Sequence, residues 1–387
     1  MRNAVSVWGG DSLSTREGFV VARPQCDGSL IEQIDSLLVG YDQRLSAAGL
    51  DRGSAVTATF FLSDCANQEE ALRDHPGFRA LENLGAAISI IQQPPVGHKV
   101  GLAAYHVVRP AMPVRRQTIA LPGTRPTGKA ISVETPGYRF VYYKNLLSAS
   151  AGDAGWQTDA LMGVAGQGVQ SAGVTLPEVV RTWLYIHDID SHYQGVSKAR
   201  NALFDRHGVT AATGFPASTG IEGRTTDHRD LLMLDAVAIQ GMKPGQSQSM
   251  RALTHMNPTV EYGVTFERGR CITFGDRRHL YVSGTASIDN QGCILHPGDA
   301  ARQTARAVEN VRALLADSGA DLTDMRYLLV YLRDPSDAQA VETVLAASGL
   351  AAAPRILVRA PVCRPGWLVE IEGVAIDGKG NSDFLPF

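Results

Sequence analysis

An arginine and a glutamate near the end of the chain have the residue types and the spacing for acid–base chemistry on a small anion. Arg355 opens one apolar, β-prone run, and Glu370 lies fifteen residues later in a second run beyond a Pro/Gly turn. A guanidinium group can hold a carboxylate, and a neighbouring carboxyl group can move a proton. The pair predicts either a catalytic site or, more simply, a salt bridge between strands.

The elements that must position this pair are the two runs themselves. Their composition and the intervening turn predict a strand pair, which would place Arg355 and Glu370 on neighbouring strands. The segment also resembles the RidA/YjgF family of small imine deaminases, in which an Arg precedes the first Glu of a Val-Glu-Ile-Glu run by fifteen residues. The resemblance implies that Arg355 holds a substrate carboxylate and that Glu370 handles a water molecule or a proton.

An internal repeat is indicated by three segments with the same pattern. In each, a Gly ends an amphipathic helix, and the strand that follows closes on Asp fifteen residues after that Gly. The three pairs are Gly49 and Asp64, Gly173 and Asp188, and Gly319 and Asp334. Each repeat is predicted as β-β-α-β-α-β-β, so the expected fold class is α+β, with helices on one face of a sheet.

The domain organisation follows from this repeat. We expect a degenerate repeat at 1–120, a repeat at 121–250 that contributes to the pocket, and a repeat at 251–387 that carries the catalytic Arg and Glu. The order of elements resembles the RidA/YjgF (chorismate-mutase-like) fold, whose members form trimers with active sites between subunits. Three copies on one chain then imply an intramolecular pseudo-trimer and a monomeric protein.

The three repeats differ at the positions of the Arg and the Glu. Alignment of the closing strands places Ser218 and Met233 there in repeat two, and roughly Ala87 and Leu102 in repeat one. We therefore expect one active site, built by repeat three and completed by a neighbour, most simply repeat two.

Several short motifs resemble those of the chorismatases. They are the strand at 283–288, the helix entry at 296–299, the loop at 216–221 and the tail at 363–372. Chorismatases cleave chorismate to pyruvate and either a dihydroxylated cyclohexadiene carboxylate or a hydroxybenzoate. The resemblance implies that reaction here, although departures at 183–185 and 195–200 leave a related enol-ether acid open as the substrate.

The chorismatase resemblance implies roles for five residues. Glu370 would be the general acid that protonates the enol ether, and Cys363, seven residues earlier, would assist proton transfer when the product is aromatic. Arg355 and Arg200 would each hold one carboxylate of the substrate. Tyr262 lies in a segment that matches the border of the chorismatase pocket.

A loop in repeat two is expected to complete the site. Ser218, Thr219 and Gly220 would present hydroxyl and N–H groups to a carboxylate. Glu222 would either repel a second carboxylate or hydrogen-bond a hydroxyl group of the substrate.

Each expected role has a simpler structural interpretation that the sequence leaves open. The loop around Ser218 can be a tight turn, and Arg200 can be a solvated charge on a helix. Cys363 can be a packed structural thiol, and Tyr262 a core aromatic with its hydroxyl at the surface.

Composition restricts the classes of partner. With 44% hydrophobic residues, a net charge of −3 and no basic stripe, a small anionic metabolite is expected and nucleic acid is not. No apolar run approaches the roughly 18 residues of a membrane span. Five scattered cysteines and an N-terminus without a secretory pattern favour the cytoplasm. Cys293 and His296 have ligand-like spacing without a second pair, so neither a metal nor a cofactor is expected.

Three functions remain open from the sequence alone. The favoured one is a chorismatase-like hydrolase or lyase of secondary metabolism. The second is a RidA-type imine or enamine deaminase, which requires only Arg355 and Glu370. The third is a non-catalytic pseudo-trimer that binds a metabolite between its repeats.

Overall fold

Strands and helices alternate in three similar units in the computed structural model, which describes residues 4–9, 15–109, 116–163 and 168–387. The strands are β1 (Ala4–Trp8), β2 (Arg16–Ala22), β3 (Ala55–Leu62), β4 (Ala87–Gln92), β5 (Val100–Val108), β6 (Arg116–Ile119), β7 (Lys129–Glu134), β8 (Arg139–Leu147), β9 (Val179–Ile186), β10 (Ala217–Glu222), β11 (Leu232–Gln240), β12 (Ser247–Met250), β13 (Gly269–Thr273), β14 (Arg278–Ala286), β15 (Met325–Leu332), β16 (Arg355–Arg359) and β17 (Val369–Asp377). The helices are α1 (Leu30–Ala47), α2 (Cys65–Asp74), α3 (Pro76–Asn83), α4 (Ala154–Met162), α5 (Ile189–Arg206), α6 (Ala300–Asp317) and α7 (Ala338–Ala347).

Each unit builds one mixed sheet. The strand orders are β1-β2-β5-β3-β4 in repeat one, β10-β9-β11-β8-β7-β6 in repeat two and β12-β13-β14-β17-β15-β16 in repeat three. A parallel pair lies at one edge of every sheet, and the remaining pairs are antiparallel. The recurrence of this order confirms the predicted three-repeat α+β fold.

Local sequence signals account for the helices. Asp299 accepts a hydrogen bond from the backbone N–H of Arg302 at 2.9 Å and so caps α6, as its position before the amphipathic segment predicts. Gly49, Gly173 and Gly319 have φ angles of 63°, 72° and 69°. All three glycines thus occupy the left-handed region that Gly reaches at little cost. Gly49 and Gly319 follow α1 and α6 as expected, whereas Gly173 follows a 3₁₀ turn at Gly168–Ala172 and not the expected amphipathic helix. Among the described residues, no helix combines the length and the apolar character that a membrane crossing requires.

The second and third sheets begin a few residues before the domain limits expected from the sequence. β6 starts at Arg116 and pairs with β7, and β12 starts at Ser247 and pairs with β13. Limits at 121 and 251 would therefore separate an edge strand from each of these sheets. The domain limits themselves remain a prediction.

The last two strands are not neighbours, which corrects the expected strand pair. β15 lies between them: it pairs in parallel with β16, where Leu328 faces Arg355, and antiparallel with β17, where Tyr331 faces Glu370. Adjacent strands lie about 4.8 Å apart, so two strand spacings separate β16 from β17. The Pro/Gly segment crosses the end of β15 instead of closing a hairpin.

The three repeats meet in a closed ring through β4, β10 and β16 and the residues that follow them. Isolated bridges join Gln92 to Arg224, Pro95 to Val358 and Ile221 to Val362. Repeat one thus contacts repeat two, repeat two contacts repeat three, and repeat three returns to repeat one. This closure makes the chain an intramolecular pseudo-trimer, with a cavity of about 120 Å³ lined by strands of all three sheets.

Candidate active site

A pocket lies at the junction of repeats two and three. Its lining is formed by Tyr193, Arg200, Ser218, Thr219, Gly220, Val264, Phe266, Arg268, Gly284, Ala286, Ile288, Cys363, Arg364, Trp367 and Glu370. This inner chamber of about 50 Å³ shares Ile288, Arg364 and Trp367 with an outer chamber of about 280 Å³. The junction therefore offers a small buried site with a wider approach.

Glu370 is the buried acid of the pocket, with 5% of its surface exposed. Burial raises its pKa to about 8, and the neighbouring carboxylate of Glu372 adds to the rise, whereas Arg181 and Arg268 act in the opposite direction. At neutral pH most of the Glu370 carboxyl group is thus protonated. A neutral carboxyl group in an anion-binding pocket can act as a general acid.

Two buried arginines approach one aromatic ring in the lining. Arg200 reaches from α5 and donates to the hydroxyl oxygen of Ser218 at 3.3 Å, with its guanidinium carbon 6.0 Å from the Phe266 ring centre. Arg268 lies 5.7 Å from the same ring and donates to the backbone carbonyl of Asn257 at 3.1 Å. Packing of this kind fixes the direction of both guanidinium groups.

A third arginine lies where the two chambers meet. The guanidinium carbon of Arg364 lies 5.1 Å from the centre of the Trp367 ring. Among the described residues, Glu370 is the one carboxyl group in a lining that also holds Arg200, Arg268 and Arg364. The inner chamber thus holds more cationic than anionic side chains, while Glu261 lines the outer chamber together with Arg364.

Cys363 lies beside Glu370 in the pocket. Burial raises the pKa of its thiol to about 12, and the nearby Glu370 adds to the rise, while a hydrogen bond with Tyr193 acts against it. The thiol therefore stays protonated at neutral pH. It is placed to donate or pass a proton and not to act as a thiolate nucleophile.

Ser218, Thr219 and Gly220 all line the pocket, on strand β10 and not in a tight turn. The hydroxyl oxygen of Thr219 accepts from Arg181 at 2.7 Å and from the Gly284 N–H at 3.0 Å, and the hydroxyl donates to Glu372. A hydroxyl has one donor and two acceptor sites, so that of Thr219 is fully used. Contrary to expectation, Thr219 has no hydroxyl site left for a substrate.

Arg355 does not reach the pocket, which corrects its expected role as a carboxylate clamp. Its guanidinium donates to Glu342 at 2.6 and 3.1 Å and to the backbone carbonyls of Leu350 and Ala351 at 3.2 Å. Its own carbonyl accepts from Arg23 of repeat one. The physical reason is the strand order. β15 lies between the strands of Arg355 and Glu370, so Arg355 lies at the junction with repeat one and not beside Glu370.

Glu222 also lies outside the pocket lining. Its carboxylate accepts from the backbone N–H groups of Asp188 at 3.3 Å and Ile189 at 2.7 Å, and it pairs with Arg224 at 3.1 Å. Glu222 therefore caps the start of α5, in place of the expected contact with substrate. Tyr262 ends a short 3₁₀ turn at Thr259–Tyr262, and its side chain lies outside what the structure describes.

Strand register explains why Arg355 and Glu370 lie at different junctions between repeats. Relative to the central strand of their sheets, Ser218 and Met233 hold the same register positions as Arg355 and Glu370. In repeat one these positions are Ile88 and Gly101, each one residue from the expected pair.

Each junction combines the Arg position of one repeat with the Glu position of the next. The pocket thus takes Ser218 from repeat two and Glu370 from repeat three. Arg355 faces repeat one, where a Cβ on Gly101 would lie 2.6 Å from the side chain of Ile356. The expectation that repeat two completes the site agrees with this arrangement. The expectation that one repeat supplies both the cation and the acid does not.

Sequence reasoning missed several residues of the lining. Arg268 ends the segment that was singled out for Tyr262, and Arg364 directly follows Cys363, so both lay within reach of the motifs. Phe266 lies in the same segment as Tyr262, and Gly284 lies in the motif at 283–288, whereas no motif marks Tyr193. In the ranges that the structure describes, no group of three or more His, Cys, Asp or Glu residues is arranged to hold a metal ion.

Comparison with known proteins places the fold in a family. Residues 272–377 match the family model described as endoribonuclease L-PSP. Over 97 residues the chain is 34% identical to 3-aminoacrylate deaminase RutC of Acinetobacter baylyi, an alignment that covers 25% of this chain and 77% of that protein. The chain belongs to the endoribonuclease L-PSP family. The L-PSP match covers the part of repeat three that carries Cys363 and Glu370.

The tandem arrangement has its own counterpart among solved structures. A crystal structure of a chorismatase superposes on this L-PSP family chain with a TM-score of 0.60 and 21% sequence identity, covering 84% of this chain and 93% of the chorismatase. The similarity extends over all three repeats and so supports the tandem fold of the whole chain.

Proposed function

We propose that this protein is an enzyme that cleaves chorismate, or a closely related enol-ether cyclohexadiene acid, to pyruvate and a ring carboxylate. The observation that carries the proposal is a protonated, buried Glu370 in a pocket that also holds Arg200, Arg268 and Arg364. The chorismatase-like tandem fold supports it. Chorismate has two carboxylates and an acid-labile enol ether, which match the cations and the acid.

The cations divide the work of binding. Arg200 and Arg268, held against Phe266, bind the carboxylate nearest to Glu370 and fix the enol ether relative to its carboxyl group. Arg364 lies at the entrance to the outer chamber and binds the second carboxylate. Arginine suits both tasks because its planar guanidinium can hold a carboxylate through two hydrogen bonds.

Glu370 starts the reaction. Its O–H gives a proton to the methylene carbon of the enol ether, the double-bond electrons form the new C–H bond, and an oxocarbenium ion results. Water adds to this cation and returns a proton to the Glu370 carboxylate; the hydroxyl proton of the resulting hemiketal then passes to the ring oxygen, the bond between the former enol carbon and that oxygen breaks, and pyruvate leaves. If a ring hydroxyl is the nucleophile instead, its oxygen attacks the ring carbon that bears the ether, the bond from that carbon to the ether oxygen breaks, pyruvate leaves with that oxygen, and the hydroxyl proton returns to Glu370.

Cys363 decides the ring product in this proposal. Its protonated thiol lies beside Glu370, where it gives a proton to the departing ring hydroxyl, which leaves as water, and takes up the proton that the neighbouring ring carbon loses as the ring becomes aromatic. The aromatic product from chorismate is then 3-hydroxybenzoate. Without this assistance, the product is the non-aromatic diol.

The imine deaminase alternative is less well supported. It relied on Arg355 and Glu370 acting together, and Arg355 is bound to Glu342 on the far side of β15. RutC, the deaminase with which the chain shares identity, matches one part of the chain and not the tandem arrangement.

The test is to incubate the purified protein with chorismate, follow pyruvate by a coupled assay and identify the ring product by chromatography. We expect pyruvate with 3-hydroxybenzoate. Glu370→Gln should lower kcat by about 10²- to 10⁴-fold, because the general acid is lost, while calorimetry still detects chorismate binding.

Three results would count against this proposal. Turnover of an imine but not of chorismate would point to a deaminase. Binding of chorismate without turnover by the unmodified protein would indicate a binding module. Full activity in Glu370→Gln would exclude Glu370 as the acid.

A further inference from the structure

A buried ion pair lies directly behind the pocket. Arg181 of repeat two and Glu372 of repeat three both have side chains that are 2% exposed, and they approach to 2.6 Å. The indole N–H of Trp183 donates to the other Glu372 oxygen at 2.6 Å. Neither member of the pair lines the pocket, so the reaction as described makes no use of them.

Thr219 connects this pair to the acid. Its hydroxyl oxygen accepts from Arg181 and from the backbone N–H of Gly284. Gly284 in turn lies against the Glu370 carboxyl group: a Cβ at Gly284 would approach the carboxyl carbon of Glu370 to 2.7 Å. The hydroxyl of Thr219 thus holds the backbone of Gly284, against which the Glu370 carboxyl group packs.

We propose that Arg181, Thr219 and Glu372, here called the interface cluster, position the Glu370 carboxyl group against Gly284 for proton transfer, and that the charge of Glu372 opposes ionisation of this carboxyl group. The inference rests on the proposed function and adds positioning residues to the same site. The cluster spans repeats two and three, so it also couples correct packing of the two repeats to the reactivity of the acid.

The charges around Glu370 favour this role. The charged or titratable groups nearby are Glu372 on its own strand, Arg181 on β9, Tyr193 and Arg200 on α5, Arg268 ahead of β13, Tyr331 on β15, and Cys363 and Arg364 in the segment before β17. The negative charge of Glu372 offsets the positive charge of Arg181. Removing it would leave Arg181 to stabilise the ionised form of Glu370.

The junction of repeats one and two contains a matching cluster without an acid. Ser89, in the register position of Thr219, donates to Asp235 at 2.6 Å, and Asp235 holds the position of Glu372 and pairs with Lys144. The backbone N–H of Asn145 donates to the same Asp235 at 2.8 Å. Met233 takes the place of the acid there, so this cluster supplies a matched control.

The experiment compares three substitutions in steady-state assays of the full chain. Thr219→Val removes the hydroxyl and should lower kcat at least tenfold with KM changed less than threefold, and Thr219→Ser should restore most of the activity. Ser89→Ala breaks the matching cluster and should lower the melting temperature while leaving kcat and KM unchanged. A pure stability role predicts that Thr219→Val and Ser89→Ala behave alike, and that result would overturn the proposal.

The pH profile gives a second readout. Glu372→Gln should move the alkaline limb of kcat to lower pH by about one unit, because Arg181 then favours the ionised form of Glu370. An unchanged limb in a folded variant would contradict the role of Glu372 in keeping the acid protonated.

A titration without substrate separates this inference from the proposed function. If the protein does not cleave chorismate, the carboxyl ¹³C signal of Glu370, assigned with Glu370→Gln, can be followed against pH. Both Glu372→Gln and Thr219→Val should lower the midpoint, the second because loosening the cluster admits water. Thr219→Val removes no charge, so it serves if Glu372→Gln does not fold. An unchanged midpoint would overturn the inference whatever the substrate is.

Discussion

At the scale of single residues, the state of Glu370 follows from competition between burial and charge. Apolar neighbours raise the pKa of a carboxyl group, and arginines lower it. The sequence predicts both influences, and the structure shows that burial, helped by Glu372, outweighs Arg181 and Arg268. The acid is protonated at neutral pH as a result.

The pH dependence of activity tests this state. Protonated Glu370 is the active form in the proposed reaction, so kcat should be maintained below pH 8 and fall as the pH rises through about 8. The measurement is kcat for pyruvate release between pH 5 and 10, with substrate stability checked at each pH. A rate that rises through pH 8 would identify Glu370 as a base.

The free energy of unfolding should also depend on pH through Glu370. The folded pKa of about 8 lies above the ordinary 4.5, so the folded state binds this proton more tightly than the unfolded chain. The contribution of Glu370 to the free energy of unfolding is therefore full below about pH 4.5 and is lost as the pH rises towards 8. Urea unfolding of the unmodified protein and of Glu370→Gln across this range should show a difference that shrinks with pH. A constant difference would contradict it.

The two arginines expected to hold carboxylates make a second residue-scale test. Arg200→Ala removes a cation from the pocket and should lower kcat/KM for chorismate by about ten- to a hundredfold, the range for a charged hydrogen bond. Arg355→Ala should leave kcat/KM within about twofold and lower the melting temperature, because Glu342 loses its partner. The opposite ranking would restore Arg355 as the carboxylate clamp.

At the scale of elements, α5 positions Arg200 and depends on its capping. Glu222 accepts from the first N–H groups of this helix, so Glu222→Ala should lower the free energy of unfolding by about 1 kcal/mol without improving substrate binding. Asp299→Ala, which removes the cap of α6, is the matched control and should cost a similar amount. A tenfold fall in KM for chorismate in Glu222→Ala alone would show that Glu222 faces the substrate.

The strand order also acts at the scale of elements, because it determines which residues share a site. Had β16 and β17 paired, Arg355 and Glu370 would share a site within one repeat. Insertion of β15 between them sends Arg355 to the junction with repeat one and leaves Glu370 for the junction with repeat two. The site is consequently composite, with Arg200 and Ser218 from one repeat and Glu370 from the next.

At the scale of the whole molecule, the pseudo-trimer places both halves of the site on one chain. We predict a monomer whose specific activity stays constant on dilution from micromolar to nanomolar concentration, because no second chain is needed to complete the pocket. Light scattering and activity at matched concentrations provide the measurement. Loss of specific activity on dilution would show that chains must associate to form the site.

The sequence by itself determined the repeat and the ends of α1 and α6, and it singled out Glu370. These features depend on neighbours along the chain: the Gly–Asp spacing, the Asp299 cap, and the Val-Glu-Ile-Glu run around Glu370. Backbone conformation and amphipathic period are local properties, so pattern reasoning reaches them.

Only the tertiary structure decided which residues meet. Strand order removed Arg355 from the site and assigned Glu222 to a helix cap, while Arg268 and Arg364 joined Arg200 around Glu370. These outcomes depend on pairing between strands far apart in sequence and on packing between repeats, which local patterns do not encode. The protonation of Glu370 belongs to the same class, because it is set by burial and by charges that two repeats bring together.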